Sequence, residues 1–354
     1  MDSITQFTLG AAVSAVCLGK TLGPRKAAIL GGALGTLPDL DVFLPFDDPV
    51  DSFVFHRGWT HSVFVHSLAA PVIGELLVRS VKMLKDHRFL VWITVFLCLS
   101  THAIIDAMTV YGTRMFWPIY SDPVGVGSIF IIDLVYTLPL LGVVIWAFAS
   151  RRWSTRLRNG LATALFLSSA YMGLGLIWQA NAESRAKTIF AMAGIDADRI
   201  FAIAGPFNSV WRVIGLEKDR YHNLYLSLLD DDLNARIYTH PRHPGLVACL
   251  GDNDAFEKLK WFSRGYYRAD LEGEKIVVSD LRMGLTPGYI FRFAIARFGE
   301  ETAYAIPPKS SGGQMNTIGQ DLDWLSERIL GQPSIRKTEV TEPELKDKND
   351  IAAC

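Results

Sequence analysis

Three apolar stretches, Trp59–Val78, Phe89–Thr109 and Ile129–Ala149, each approach the ~20 residues that a helix needs to cross a bilayer, and they constrain the fold more than any other feature. A fourth, Leu161–Trp178, is slightly shorter but apolar. Two earlier runs, Phe7–Gly19 and Ala27–Leu37, are shorter still and rich in Gly and Ala, as in closely packed short helices or a re-entrant hairpin. Beyond about residue 180 the pattern changes. A helical stretch, Asn181–Ala193, is followed by alternating runs, FNSVWRVIG, YHNLYLSLL, FSRGYYRADL and EKIVVSDLRM, separated by Asp, Asn and Gly clusters. These read as strands of a sheet with at least one exposed face. The expected fold is an α-helical polytopic membrane domain of about five to six segments over residues 1–180, then a soluble α+β domain over 181–331. From Gln332 to Cys354 the chain has few apolar residues and is expected to be a disordered tail.

The basic residues give this domain an orientation. Lys20, Arg25 and Lys26, then Arg79, Lys82, Lys85 and Arg88, then Arg151, Arg152, Arg156 and Arg158 fall in alternate loops, which should be cytoplasmic. The intervening loops, Asp39–Gly58 and Val110–Ser128, hold only Arg57 and Arg114 and should face outward, with the N-terminus and everything after Trp178. The start, MDSITQ, has an acid and no base, so it reads as a retained segment rather than a cleaved leader. A formal net charge of −1 gives no reason to expect nucleic acid as a partner; membrane lipids are the expected surroundings. Cys17 and Cys98 lie in apolar segments, and Cys249 and Cys354 are far apart, so neither a disulfide framework nor a thiolate zinc site is expected.

With the orientation assigned from Lys and Arg alone, the other ionisable residues fall at one level. Asp39 and Asp41 follow the second short run, His56 and His61 flank the mouth of the next segment, and His102 and Asp106 stand one turn apart on a shared helix face. Asp133 enters the next segment from the same side. Carboxylates and imidazoles near lipid are costly unless they pair, bind an ion or line an aqueous cavity, and Arg57 is the obvious local cation. A divalent metal would compensate them best: zinc first, manganese or iron(II) next, one ion or two. Two ions would suit hydrolysis of a phosphoester or other ester.

MDSITQ, GALGTLPDLDV, HRGWTHS, HAIIDAMT and the following WP closely resemble the YdjM-type family of LexA-regulated, membrane-bound, metal-dependent hydrolases, over about the first 150 to 180 residues. The resemblance implies a bacterial inner-membrane protein and carries ligand roles to Asp39, Asp41, His56, His61, His102 and Asp106. Asp133 is added by depth and charge alone, and would serve equally to orient a ligating histidine. Where many members carry His, this chain has Gln6, a poor ligand.

The expected reaction is metal-assisted hydrolysis of a lipid or other amphiphilic substrate, with Asp41 or Asp106 accepting a proton and Arg57 stabilising anionic charge. Other readings stand beside it. Asp39 and Asp41 suit a solvated turn after Pro38, His56 and His61 suit interfacial imidazoles, and His102 with Asp106 suits a self-satisfied pair. His66, deeper in its helix, reads as a packing residue or a support behind the ligands rather than a ligand, and THPRHP, with His240 and His243, as a surface loop. A transporter or ion pathway, or an assembly protein held together by its metal, are the non-enzymatic alternatives.

Overall fold

The computed structural model describes residues 1–230, 235–299, 303–312 and 318–341. They form two compact units: Met1–Leu44 with Arg57–Ile177, and Pro45–His56 with the chain from Trp178 onward. The division near residue 180 lies where the composition shifts. The assignment of Pro45–His56 to the second unit is not visible in composition.

The first unit is helical. Helix α1 (Ser3–Leu22) begins at Asp2, whose carboxylate accepts the N–H groups of Ile4 and Thr5. Gly23, at φ 82°, ends it, and Pro24 starts α2 (Pro24–Thr36), where its fixed φ and missing N–H cost nothing. The two helices touch through backbone. A Cβ on Gly10 would lie 2.3 Å from the Gly31 carbonyl oxygen, and one on Gly31 would lie 2.1 Å from that of Gly10. The close packing is what the Gly- and Ala-rich runs suggest, but α1, at 20 residues, is longer than the run Phe7–Gly19.

After α3 (Pro49–Phe55), which belongs to the second unit, come α4 (Val63–Ser80) and α5 (Arg88–Met108). On α4 only His66, Ala70, Gly74 and Val78 are buried, a single stripe at intervals of four, while Leu68, Val72 and Leu76 are exposed. A helix apolar all round with so narrow a packed stripe is suited to lipid. Helix α5 is more deeply packed; its Val91, Val95, Cys98 and Leu99 join residues of α1 and α2 in the unit's core. Helices α6 (Leu134–Ala149) and α7 (Thr155–Met192) complete the set.

Among the described residues, three helices are long and apolar enough to cross a membrane: Val63–Ser80, Lys82–Met108, which is α5 with the 3-10 turn before it, and Thr155–Met192. This is fewer than the sequence suggests. Asp133 caps α6 and leaves Ile129–Ile132 outside the helix, so that 16 residues remain, while α2 has 13. Conversely α7 runs unbroken through Trp178, because QANAESRAK contains good helix formers and neither Gly nor Pro.

The second unit is α+β. Strands β1 (Arg199–Ala204), β2 (Val210–Leu216), β3 (Arg220–Ser227) and β4 (Ile237–Pro241) form an antiparallel meander in sequence order. One face carries Trp211, Val213, Leu224 and Leu226 against Ala182, Ala186, Ile189 and Phe190 at the end of α7. After α8 (Pro244–Ala248) and α9 (Asp254–Phe262), strands β5 (Tyr267–Glu272), β6 (Lys275–Asp280), β9 (Arg292–Phe298) and β10 (Ala303–Ser310) form a second antiparallel sheet in the order β10-β9-β6-β5, with a two-residue hairpin, β7 (Gly284–Leu285) and β8 (Gly288–Tyr289), between β6 and β9. Phe53 of α3 packs here, its ring centroid 4.7 Å from Phe262, 4.4 Å from Phe291 and 5.3 Å from Phe293. Asp51 adds an ion pair with Lys258 at 2.7 Å. Helix α10 (Ile318–Ile329) brings Trp324 to Val210, Tyr225 and Tyr238 on the other face of the first sheet.

Two expectations are corrected. The segment from Gln332 was expected to be disordered, yet Arg336, Thr338 and Glu339 are buried and Lys337–Thr341 form a helical turn, α11. Polar contacts hold it rather than apolar ones, so composition gave no sign of it. The remainder of the expected tail lies outside the described residues. Cys249, expected to stand alone, is disulfide-bonded, whereas Cys17 and Cys98 are free thiols.

Candidate metal centre

The site is assembled in the first unit from three helix ends and a turn. Asp39 and Asp41 sit in the 3-10 turn Pro38–Phe43 that ends α2. His61 closes the 3-10 turn Trp59–His61 just before Ser62 caps α4. His102 and Asp106 lie in the last two turns of α5, four residues apart and therefore on one face. Asp39, His61, His102 and Asp106 each present one ligand atom, all within 4.8 Å of one another, and these four residues can hold a metal ion.

The spacing is informative. The two histidine Nε2 atoms are 3.0 Å apart. Asp39 Oδ1 is 3.4 Å from His61 Nε2 and 3.3 Å from that of His102; Asp106 Oδ2 is 3.4 Å and 3.3 Å from the same pair. Four ligands at the ~2.0–2.1 Å typical of zinc define a tetrahedron with edges of about 3.3–3.4 Å. Five measured edges lie near that value.

Hydrogen bonds fix the imidazoles with their lone pairs inward. His102 Nδ1 donates to the Gly35 carbonyl at 2.6 Å, one of the oxygens left without an intrahelical partner where α2 ends. The Thr60 hydroxyl donates to Asp41 Oδ2 at 2.8 Å, so its oxygen accepts from His61 Nδ1 at 3.0 Å. With both Nδ1 atoms donating, each imidazole in its neutral form turns an unprotonated Nε2 to the cluster. Two bare nitrogens and two carboxylate oxygens thus converge in a buried space. Asp39 Oδ1 and Asp106 Oδ2 have no hydrogen-bond partner there, although Arg57 Nε forms an ion pair with Asp106 Oδ2 at 3.2 Å. A cation fits this donor set.

Surrounding residues hold the ligands in place. Asp106 Oδ1 accepts from Gln6 Nε2 at 2.9 Å and from the Met1 nitrogen. Gln6 therefore orients a carboxylate rather than offering a ligand, a role its residue type did not announce. Arg57 is buried, has a left-handed φ of 59° and donates its N–H to Asp41 Oδ2 at 2.9 Å. Its Nε lies 3.2 Å from Asp106 Oδ2, and its guanidinium carbon is 5.0 Å from the centre of the Tyr111 ring. A non-glycine residue in that conformation is uncommon and concentrates at functional sites. His66 stands behind the cluster: Nε2 bonds to the Thr60 carbonyl at 2.8 Å and Nδ1 approaches Ser100 Oγ at 3.4 Å, bracing the turn that carries His61.

Three of the seven expected ligands are not among the four. Asp41 stands behind His61, 3.6 Å from its Nδ1, with Oδ2 taken up by Thr60 and the Arg57 N–H. His56 is the C-cap of α3 and belongs to the second unit. Asp133 caps α6 by accepting from Val135 and Tyr136 N–H, and its second oxygen accepts from the Tyr171 hydroxyl at 2.9 Å. Its place in the sequence is the same for a cap as for a ligand, so only the backbone geometry separates the two. In the second unit, His222 bonds to Thr239 and Glu217, His240 to Glu339, and His243 to the Ala269 carbonyl. None of these histidines belongs to a metal-ligating group among the described residues.

A helical unit with apolar crossing helices and a buried His/Asp cluster defines a membrane protein with a possible metal site. The family model described as YdjM inner membrane protein matches residues 1–182, and the chain belongs to that family. No curated protein and no solved structure matches it.

Proposed function

We propose that the protein is a multi-pass, metal-dependent hydrolase of the bacterial inner membrane, acting on an ester or phosphoester bond of a lipid or other amphiphilic substrate. The gathering of two imidazoles and two carboxylates in one group, one of the carboxylates partly exposed, supports this reading. Zinc is the preferred occupant, because the ligand set and edge lengths suit it. Bound with a coordination position open at the partly exposed Asp39, it would supply Lewis acidity toward an ester or phosphoryl oxygen and would acidify water.

The chain's own groups account for positioning and charge. Gln6 and Arg57 hold Asp106, Thr60 and Asp41 hold His61, and Arg57 supplies the positive charge that an anionic group would meet. His61, His102 and Asp106 side chains are wholly buried, whereas that of Asp39 is 24% exposed, so substrate enters at Asp39. The exposed side chains beside that edge are Leu40, Val42 and Phe43, with Trp59 next to Thr60. Such a rim suits an acyl chain better than a sugar or nucleotide. The alternating basic loops favour the periplasmic side for the site and for the second unit. The Cys249 disulfide supports that orientation, since disulfides persist in oxidising compartments.

Elemental mass spectrometry of detergent-purified protein tests the site. Wild type should carry about one ion per chain, and His61→Ala/His102→Ala should carry none while remaining folded. Wild type should then release product from a panel of phospholipids and lipid-linked phosphates, and Arg57→Gln should lose most of that activity with its metal retained. Failure to retain metal after loading with zinc, manganese or iron would remove the reading. One observation favours a second reading: four protein ligands are what a structural zinc site uses. A staple of that kind predicts metal-dependent stability and no turnover of any panel member.

A further inference from the structure

The C-terminal segment Arg336–Glu339 is buried with its polarity reversed. Arg336, Thr338 and Glu339 point inward, while Ile335 and Val340 are about half exposed. An element that belongs to a core buries its apolar side chains and leaves charge outside. This one does the opposite, and the surface beneath it is built to receive it.

That surface is the α10 face of the first sheet. Asn223 and Tyr225 alternate along β3, so they share a face, and His240 lies opposite Tyr221 on the neighbouring strand. Glu339 is 5% exposed as a residue, with its side chain fully buried. Its carboxylate accepts from the Tyr225 hydroxyl at 2.5 Å, from Asn223 Nδ2 at 3.1 Å, and bonds His240 Nε2 at 2.5 Å. Arg336 is held as fully: its Nε and Nη2 donate to the two oxygens of Asp321 at 2.9 and 3.0 Å, Nη1 donates to the Thr286 carbonyl, and its N–H donates to the Tyr238 hydroxyl at 3.2 Å. Beside the segment lies a cavity of about 520 Å³ lined by Tyr225, Tyr238, Trp324, Ser334 and Ile335. The segment is thus gripped at two charged side chains and loosely packed elsewhere.

We propose that this face is a peptide-binding seat that recognises an Arg-x-x-Glu segment, and that residues 333–341 are its ligand in cis. The two-point polar grip gives specificity, and with little apolar burial the segment is displaceable. The partner that fits is a peptide presenting an arginine with a carboxylate three residues after it.

Trypsin treatment of the full-length protein, with the fragments reduced and read by mass spectrometry, tests the grip. In wild type, cleavage after Arg336 should be slow. In Glu339→Gln it should be at least 10-fold faster, with sites elsewhere in the second unit unchanged. Unchanged cleavage after Arg336 would overturn the proposal, as would general sensitivity of the unit, which would make the segment a core element. Titration with a labelled peptide of residues 333–341 supplies the second arm. A chain ending at Gln332 should bind it, full-length wild type should bind at least 10-fold more weakly, and the Glu339→Gln peptide should lose at least 10-fold. Equal binding by the two peptides, or none by a truncated chain whose β-sheet circular dichroism is intact, would also overturn it.

Discussion

Three histidines of the helical unit, His61, His66 and His102, differ in what each ring nitrogen bonds. His102 and His61 aim Nε2 at the cluster because Gly35 and Thr60 take their Nδ1 protons, whereas His66 spends Nε2 on a carbonyl and is lost to ligation. Thr60→Val should therefore weaken metal binding by about 10- to 100-fold while leaving the fold intact, measured by competition with a chromophoric chelator. Outside the helical unit, His243 lies 3.5 Å from Asp270. The Asp270 carboxylate beside it raises the His243 pKa despite partial burial, and Asp270 stays below its usual value because His243 and Arg268 outweigh its burial. A raised histidine value means that the pair's contribution is complete below about pH 6.5, the ordinary value, and fades as pH rises through the folded one. His243→Gln should remove a decline on the order of 1 kcal/mol in second-unit stability between acidic and alkaline pH. Unfolding midpoints across that range would show it as a flatter profile.

Among the elements, α1 and α2 depend on glycine, and α4 on a stripe one residue wide. Because Gly10 and Gly31 have each other's backbone where a Cβ would sit, Gly31→Leu should separate the helices and cost at least about 1–3 kcal/mol. Detergent unfolding measures the loss, and metal content should fall with it, since α2 carries both the Gly35 carbonyl and the turn holding Asp39. Leu68→Ala, on the exposed face of α4, should change stability in the same assay by less than about 0.5 kcal/mol.

At the scale of the whole molecule, the second unit is not a contiguous stretch of chain. It includes Pro45–His56, so a fragment of residues 178–354 lacks Phe53 and uncovers Phe262, Phe291 and Phe293. In the full chain, Phe53→Ala should destabilise this unit by about 3–5 kcal/mol, read from hydrogen exchange of β6 and β9. The isolated 178–354 fragment should aggregate, and a peptide of residues 45–56 should reduce that aggregation.

The sequence alone determined that this chain has a helical membrane part followed by a mixed domain, and it picked out Asp39, His61, His102 and Asp106, because apolar length, charge alternation and i,i+4 spacing are local properties. Local pattern also located β2, β3, β5 and β6. It could not separate the four clustered side chains from their neighbours: Asp41, His56 and Asp133 have the same chemistry and lie at similar points in the sequence, and only the tertiary arrangement puts Asp41 behind a histidine, Asp133 on a helix cap and His56 in the other unit. The same holds for Gln6 on Asp106, 100 residues away, and for Glu339 among Asn223, Tyr225 and His240. Polar contacts between distant segments depend on position and direction in space, and neither composition nor periodicity encodes these.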